Sequence, residues 1–439
     1  KNGLSFKNIK NAIVTNSDIN VAGYGIRFDG TYDGYALNVK DCNVEAFQPV
    51  VVRYMTGKDN VYKFEGNNTF TTTEKYQIVI TKGDDGAAYE APTGTYELIG
   101  AENFTVYPIA IVRTEEDLVH SLNSSEKGFI VRLVNDITLT ENWVPVGTEG
   151  NPWTGVFDGN DHTITLDIEG ADHVAAFGYL AKSGEIKNVV LEGSVSATAA
   201  KAAGLVSTCY GTVRNCVNNA TITSTSDEIG GVVGYLCIDG TIYNSKNTAT
   251  ITGNNRVGGV VGYAGGGSVV DNCENTGNIA GRASIGGVLG IASKTGEVTN
   301  NKNSGNIKGN VTKFNSNTGV GGIIGSAVEG DKQYCKISEN INNGKVENDG
   351  VCTGGIVGIL RGTWTFNNCI NNGEIIVLLS SDTYWAKILY DGKYYYAVIK
   401  DVFMSADPNV ALSGALQNIK IYGDVKDAIW LDNGKSVEI

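Results

Sequence analysis

Along the middle of the chain, apolar residues fall in runs of three to five bounded by glycine and asparagine. Val232 and Val233, Leu236, Ile242 and Ile251 are followed one turn later by Val260 and Val261. Runs this short predict strands rather than helices. The pattern is periodic. Paired glycine, two branched residues and a further glycine recur as GGVVG from Gly230 and Gly258, GGVLG from Gly286, GGIIG from Gly321 and GGIVG from Gly354, with a degenerate AGLVS from Ala203. The last positions of these kernels, Ser207, Gly234, Gly262, Gly290, Gly325 and Gly358, are 27, 28, 28, 35 and 33 residues apart, and AAFGYL places Gly178 a further 29 upstream. A near-constant period of this size is the sequence mark of a solenoid.

Each repeat has a second constant part: NCVNNATI from Asn215, NSKNTATI from Asn244, NCENTGNI from Asn272, NNKNSGNI from Asn300, ENINNGKV from Glu339 and NCINNGEI from Asn368. Its fourth residue is always asparagine, at Asn218, Asn247, Asn275, Asn303, Asn342 and Asn371. Asparagine tolerates the left-handed backbone of a sharp corner, and its amide can bond the equivalent amide one coil away. A ladder at a corner is therefore expected, against the rival reading of a row of ligand-binding amides. Two or three strands per coil, stacked in parallel, make a β-helix, with the paired glycines placed where a Cβ would strike the next coil. The apolar side chains of one coil fall short of its backbone entropy, so stacking and end caps are obligatory.

RTEEDLVHSLNSSEKGFIVRLVNDITL from Arg113 predicts such a cap: Thr114 as N-cap, Asp117 three residues on, Leu118, Val119 and Leu122 on one helical face, then a strand at Ile130 to Val134. DPNVALSGALQNIKIYGDV repeats the plan, with Asp407 as N-cap, Pro408 at the first helical position, and Leu412, Ala415 and Leu416 inward. Between them, YWAKILYDGKYYYAVIK from Tyr384 reads as an aromatic hairpin turning at Asp391-Gly392. The expected organisation is residues 1–110 as the end of a preceding β-helical module, 111–378 as a helix-capped β-helix, and 379–439 as a hairpin cap followed by the opening of another module. The chain is thus expected to be an excerpt of a longer multi-module protein, monomeric within it.

With 57 glycines but only 6 prolines, and 41% apolar residues, the chain is neither collagen-like nor low-complexity. A net charge of −13, with no basic run carrying interleaved aromatics, argues against nucleic acid or an anionic membrane as partner. No apolar run reaches the roughly 20 residues that span a bilayer. The first residues do not read as a signal peptide, and a removed one would leave no trace. Cys216, Cys273 and Cys369 share one repeat position. The first two lie two coils apart, roughly 10 Å at ~4.8 Å per coil, beyond the ~7 Å reach of a disulfide, so all eight cysteines are read as free thiols.

P-loop, HExxH, GxSxG and CxxC signatures are absent, and the glycine kernels lack the aspartate of calcium-binding β-rolls. That leaves carboxylate chemistry, which needs two or three acids on one face. The densest candidate is FDGNDHTITLDIEGADHVAAF from Phe157, with Asp158, Asp161, His162, Asp167, Glu169, Asp172 and His173. Thr163, Thr165 and Asp167 would share an outer strand face. The structural reading makes Asp158-Gly159 a turn, packs His162 beside it and buries Ile164, Leu166 and Ile168. Asp84 and Asp85 read as an exposed loop rather than a metal site. No residue is assigned as catalytic, cofactor-binding or metal-ligating, and no cofactor is expected.

The GGVVG kernel with its trailing N-C-x-N-x-G-x-I resembles the GLUG-motif repeats of bacterial surface proteins, and NWVPVG, FDGNDHTITL and AAFGYL resemble the segment that precedes them, over residues 111–378. Residues 1–110 resemble the pectin-lyase-like right-handed β-helices of gut-anaerobe surface proteins. The resemblance implies an all-β, parallel, right-handed β-helix with short helical caps. It further implies a secreted or outer-membrane-anchored cell-surface protein of the adhesin kind, whose repeats carry no catalytic residues. The expected function is thus non-catalytic binding or spacing, with a glycan or a surface protein as ligand. Insertions around Lys308 to Asn317 and Glu329 to Lys336 are the expected specificity loops. The opposing class is a polysaccharide lyase or glycoside hydrolase using surface carboxylates on the same fold.

Overall fold

The computed structural model describes residues 3–29, 33–53, 55, 57–74, 76–81, 96–122, 130–140, 143–171, 173–198, 201–311, 318–330, 335–349 and 352–378. Beyond these it describes the strands Tyr384–Tyr390, Lys393–Ile399, Ile419–Tyr422, Ile429–Asp432 and Lys435–Glu438. Contacts divide the chain into two compact units: Lys1–Asn135 with Gly155–Asn160, and Asp136–Thr154 with Asp161–Ile439.

In the first unit the apolar alternation builds two parallel sheets. Leu4–Lys7, Asp18–Asp29, Asn43–Arg53, Ile78–Ile80 and Val106–Tyr107 pair in that order in one sheet, and Asn11–Thr15, Ala36–Lys40, Asn60–Glu65 and Tyr96–Ile99 form the other. Alternate residues such as Phe28, Leu37, Val44, Val50 and Ile78 are wholly buried. Edge-to-face ring contacts such as Phe28 with Tyr62, centroids 6.2 Å apart, fill the wider parts of this core. The helix Glu115–Leu122 joins Ile109–Val112 to Ile130–Leu133, which are hydrogen-bonded neighbours. Thr114 Oγ1 accepts the N–H of Asp117 at 3.1 Å, and the Asp117 carboxylate accepts the N–H of Arg113 at 2.9 Å, so the predicted cap forms. Leu118 and Leu122 are buried; Val119, expected beside them, is 44% exposed. Its position one residue past Leu118 turns it about 100° away from the sheet.

The second unit is a parallel β-solenoid. One coil contains Ile229–Gly230, Val233–Leu236, Thr241–Tyr243, Lys246–Asn247 and Ile251–Thr252, each paired in register with the segment about one repeat on. The expected two or three strands are thus five shorter ones, because corners interrupt the pairing every few residues. Val232, Val233, Leu236, Ile242 and Ile251 are fully buried, as are Val260 and Val261 in the next coil. Phe177–Leu180 pairs with Val206–Cys209, making the Gly178 copy the first of the series.

The kernel glycines are a matter of space. A Cβ on Gly231, Gly259, Gly287 or Gly322 would collide with the carbonyl oxygen of the equivalent glycine one coil on and with a ladder asparagine. One on Gly230 would meet the Val233 carbonyl oxygen. All eight cysteines are free, and seven are buried.

Tyr384–Tyr390 pairs antiparallel with Lys393–Ile399, the hairpin expected around Asp391-Gly392, and Ile375–Leu378 pairs in parallel with Ile419–Tyr422. The proposed second helix from Asp407, with Pro408, Leu412, Ala415 and Leu416, lies outside the described residues, as do Asp84, Asp85 and Asp172 and the insertion residues 312–317 and 331–334.

Candidate functional site

The acids singled out from Phe157 onward fall in different settings. Asp158 is buried in the first unit, where its Oδ2 lies 2.9 Å from Nη2 of Arg132 and its Oδ1 accepts the N–H of Asn160 at 3.0 Å. The turn itself falls at Asn160 and Asp161, both with positive φ, two residues later than Asp158-Gly159. In the second unit His162 Nδ1 lies 3.1 Å from Oδ1 of Asp136, which also accepts the N–H of Thr163 at 2.8 Å. The Thr163 N–H first, and His162 second, hold the Asp136 carboxyl below the usual carboxylate range. Ile164, Leu166 and Ile168 are buried, while Asp167 and Glu169 are exposed on the opposite face of Thr163–Gly170. His173 turns to a tyrosine, with Nε2 2.7 Å from the hydroxyl of Tyr179. Among the described residues no three metal-capable side chains converge.

The asparagine ladder forms. Nδ2 of Asn218, Asn247, Asn275, Asn303 and Asn342 each donates to Oδ1 of the next at 2.7–2.8 Å, and each also donates to the carbonyl oxygen two residues on. All six members are at most 1% exposed, so their amides are spent within the wall and offer nothing to a ligand. The expected left-handed backbone lies elsewhere. It belongs to the first position of the same motif, Asn215, Asn244, Asn272, Asn300, Glu339 and Asn368, with φ between 48° and 59°. Those residues are exposed, and some bond to their equivalents one coil away, as in Asn272 Nδ2 to Asn244 Oδ1 at 2.7 Å.

A second left-handed column, not foreseen from sequence, runs along the flank before the kernel. It comprises His173, Lys201, Glu228, Arg256, Ser284 and Cys352, with φ from 48° to 66°. A left-handed backbone costs a residue with a Cβ about 1–2 kcal/mol, least for asparagine. The first corner meets that cost with asparagine at five of its six positions; this one has histidine, lysine, glutamate and arginine at four of six. In register beside it stands Tyr179, Thr208, Tyr235, Tyr263 and Ile291.

The two columns touch. The His173 and Tyr179 rings are 4.7 Å apart, Lys201 Nζ stands 5.2 Å over the Tyr235 ring, and the Arg256 guanidinium 5.7 Å over Tyr263. Arg256 is also paired with Glu228. The Tyr235 and Tyr263 centroids lie 4.8 Å apart, one coil spacing, and burial pushes the Tyr235 phenol up to about 12. Beyond Arg256 a depression of about 190 Å³ opens among Asp227, Asn255, Arg282, Ser284 and Thr318. Asn255 Nδ2 donates to Asp227 at 2.8 Å, and Arg282 Nε donates to Asn254 at 3.0 Å. Thr208 Oγ1 and Asn255 Oδ1 have no hydrogen-bond partner. The signal was in the sequence: from Lys201 on, each flank residue stands six positions before the last residue of its kernel, where neither glycine nor asparagine is the rule.

The chain has three similarities to known proteins. Over 86 residues the chain is 40% identical to halomucin of Haloquadratum walsbyi, a stretch covering 19% of this chain and 1% of that relative. A solved structure from Bacteroides ovatus, described as a "putative immunoglobulin A1 protease", aligns with a TM-score of 0.41 at 19% identity, covering 62% of this chain and 79% of that one. Residues 253–280 match the family model of the GLUG motif, and since they are one coil of a series stacked in register, the chain is a β-solenoid that carries the GLUG motif.

Proposed function

We propose that this chain is a non-catalytic binding or spacer element of an extracellular surface protein, adhesin-like in kind, whose ligand is a glycan or another surface molecule. The observation that carries this reading is the disposition of the candidate acids. Asp158 is neutralised by Arg132 inside a core, and Asp167 and Glu169 stand on the exposed face of a single strand. A hydrolase needs two carboxyls facing one bond from a shared groove. The GLUG-motif match and the similarity to halomucin, by its name a mucin-like protein, accord with an extracellular setting.

The test is a polysaccharide array read twice, for retention of the protein and for release of reducing or unsaturated ends. Retention without product, unchanged in D161N and D167N, is expected. Product formation abolished by those substitutions would replace this reading with a lyase or hydrolase.

A further inference from the structure

We infer that the flank formed by the tyrosine column and the left-handed charged column is the glycan-binding face, taking one polysaccharide strand along the solenoid axis from Tyr210 past Tyr235 and Tyr263 to the depression at Arg282. This rests on the reading of the chain as a binding protein and adds where, and in which direction, the ligand lies.

Three observations converge on it. Placing Lys201, Glu228 and Arg256 at positive φ is unfavourable, yet asparagine resolves the same geometry at the other corner of the same coils. Strain kept where a cheaper residue would serve points to a role for the side chain. Second, Lys201 and Arg256 stand over two tyrosine rings one coil apart, so aromatic surface recurs along the axis at the coil spacing, as the units of a polymer lying along it would require. Tyr210, 40% exposed, extends the rings toward the start of the solenoid.

Third, the groups between the rings are those that read hydroxyls: carboxylates at Asp227 and Glu228, amides at Asn254 and Asn255, and the forked donors of Arg256 and Arg282. Arg282 is exposed, with its Nε fixed by Asn254, so its remaining N–H groups are held in a set direction. Carboxylates within the face and a chain charge of −13 disfavour a phosphate polymer there.

The experiment uses the full chain and four probes: xylan and mixed-linkage β-glucan as neutral polymers, polygalacturonate and heparin as acidic ones. Two variants keep the fold by copying residues the solenoid already uses. K201N/E228N/R256N installs the residue of the other corner, and Y235I/Y263I installs that of Ile291. K246A, on a different sheet, is the control. We expect the wild type and K246A to retain at least one probe equally and both multiple variants to lose at least tenfold in retention. The asparagine variant is expected to keep or raise the thermal midpoint.

Preference for the acidic probes, lost at high salt, would assign Lys201, Arg256 and Arg282 to carboxylate or sulfate contacts; salt-insensitive binding of the neutral probes would assign the rings. Retention by the wild type that both folded variants preserve would overturn the assignment of this face while leaving the binding function standing. Failure of the wild type to retain any of the four probes would overturn the glycan assignment too, and a signal then seen with host or microbial surface proteins would leave only the broader binding function.

Discussion

Asn247 donates from Nδ2 to Oδ1 of Asn275 at 2.8 Å while its own Oδ1 accepts from Asn218 at the same distance, so each buried amide is at once donor and acceptor in one chain of bonds. Such a chain is as strong as its completeness. Asn275→Ala would leave the Asn247 Nδ2–H, the Asn303 Oδ1 and the Gly277 carbonyl oxygen short of a partner inside the wall. The expected cost is at least about 3 kcal/mol, at roughly 1–3 kcal/mol for each of the three orphaned groups. Asn371→Ala, at the end of the ladder, should cost about half as much, because it interrupts one amide–amide bond rather than two. Equilibrium unfolding in denaturant compares the two; equal losses would show that the ladder is not cooperative.

Space at the kernel glycines makes a sharper contrast. Gly259→Ala drives a methyl group into the Gly287 carbonyl oxygen and the Asn275 amide, both backed by neighbouring coils that cannot retreat. A loss of at least about 3 kcal/mol, or failure to fold, is expected. Gly266→Ala meets only Lys294, nearest atom 3.7 Å, and should fall within about 0.5 kcal/mol of the parent. Thermal midpoints of the pair measure the difference.

The eight thiols should be silent in the folded protein. Burial pushes Cys273 and Cys352 up to about 12 and Cys237 up to about 11, so little thiolate exists at pH 8 and access is poor. A chromogenic disulfide reagent should titrate essentially none in buffer and eight in denaturant, with Cys352, the one not fully buried, reacting first. Fewer than eight in denaturant would reveal a disulfide.

Asp136 should make stability depend on pH on the acid side. Its folded value is lowered, so its contribution is complete above the unfolded value of 3.8 and is lost as pH falls through the folded one. Asp136→Asn should therefore be less stable than the parent from about pH 5 upward, with the gap closing below about pH 4. A gap that is constant with pH would assign the contact to packing rather than charge.

The period, the buried branched residues, the corner asparagines and the free thiols were all readable from the chain, because each rests on a local rule repeated often enough to be seen. A residue type recurring every 28 or so positions names its own neighbours one coil away. Thr114 and Asp117 likewise announced a helix start whose partners lie within three or four residues. Tertiary structure decided what sequence spacing does not encode. It moved the left-handed backbone from Asn218 and its equivalents to Asn215 and its equivalents, since either side of a corner can take the bend. It gave Asp158 to Arg132, 26 residues away and outside any repeat. And it set Lys201 over Tyr235 and Arg256 over Tyr263, a pairing that exists only once coils stack, because side chains that vary from repeat to repeat acquire a common face from the register of their backbones alone.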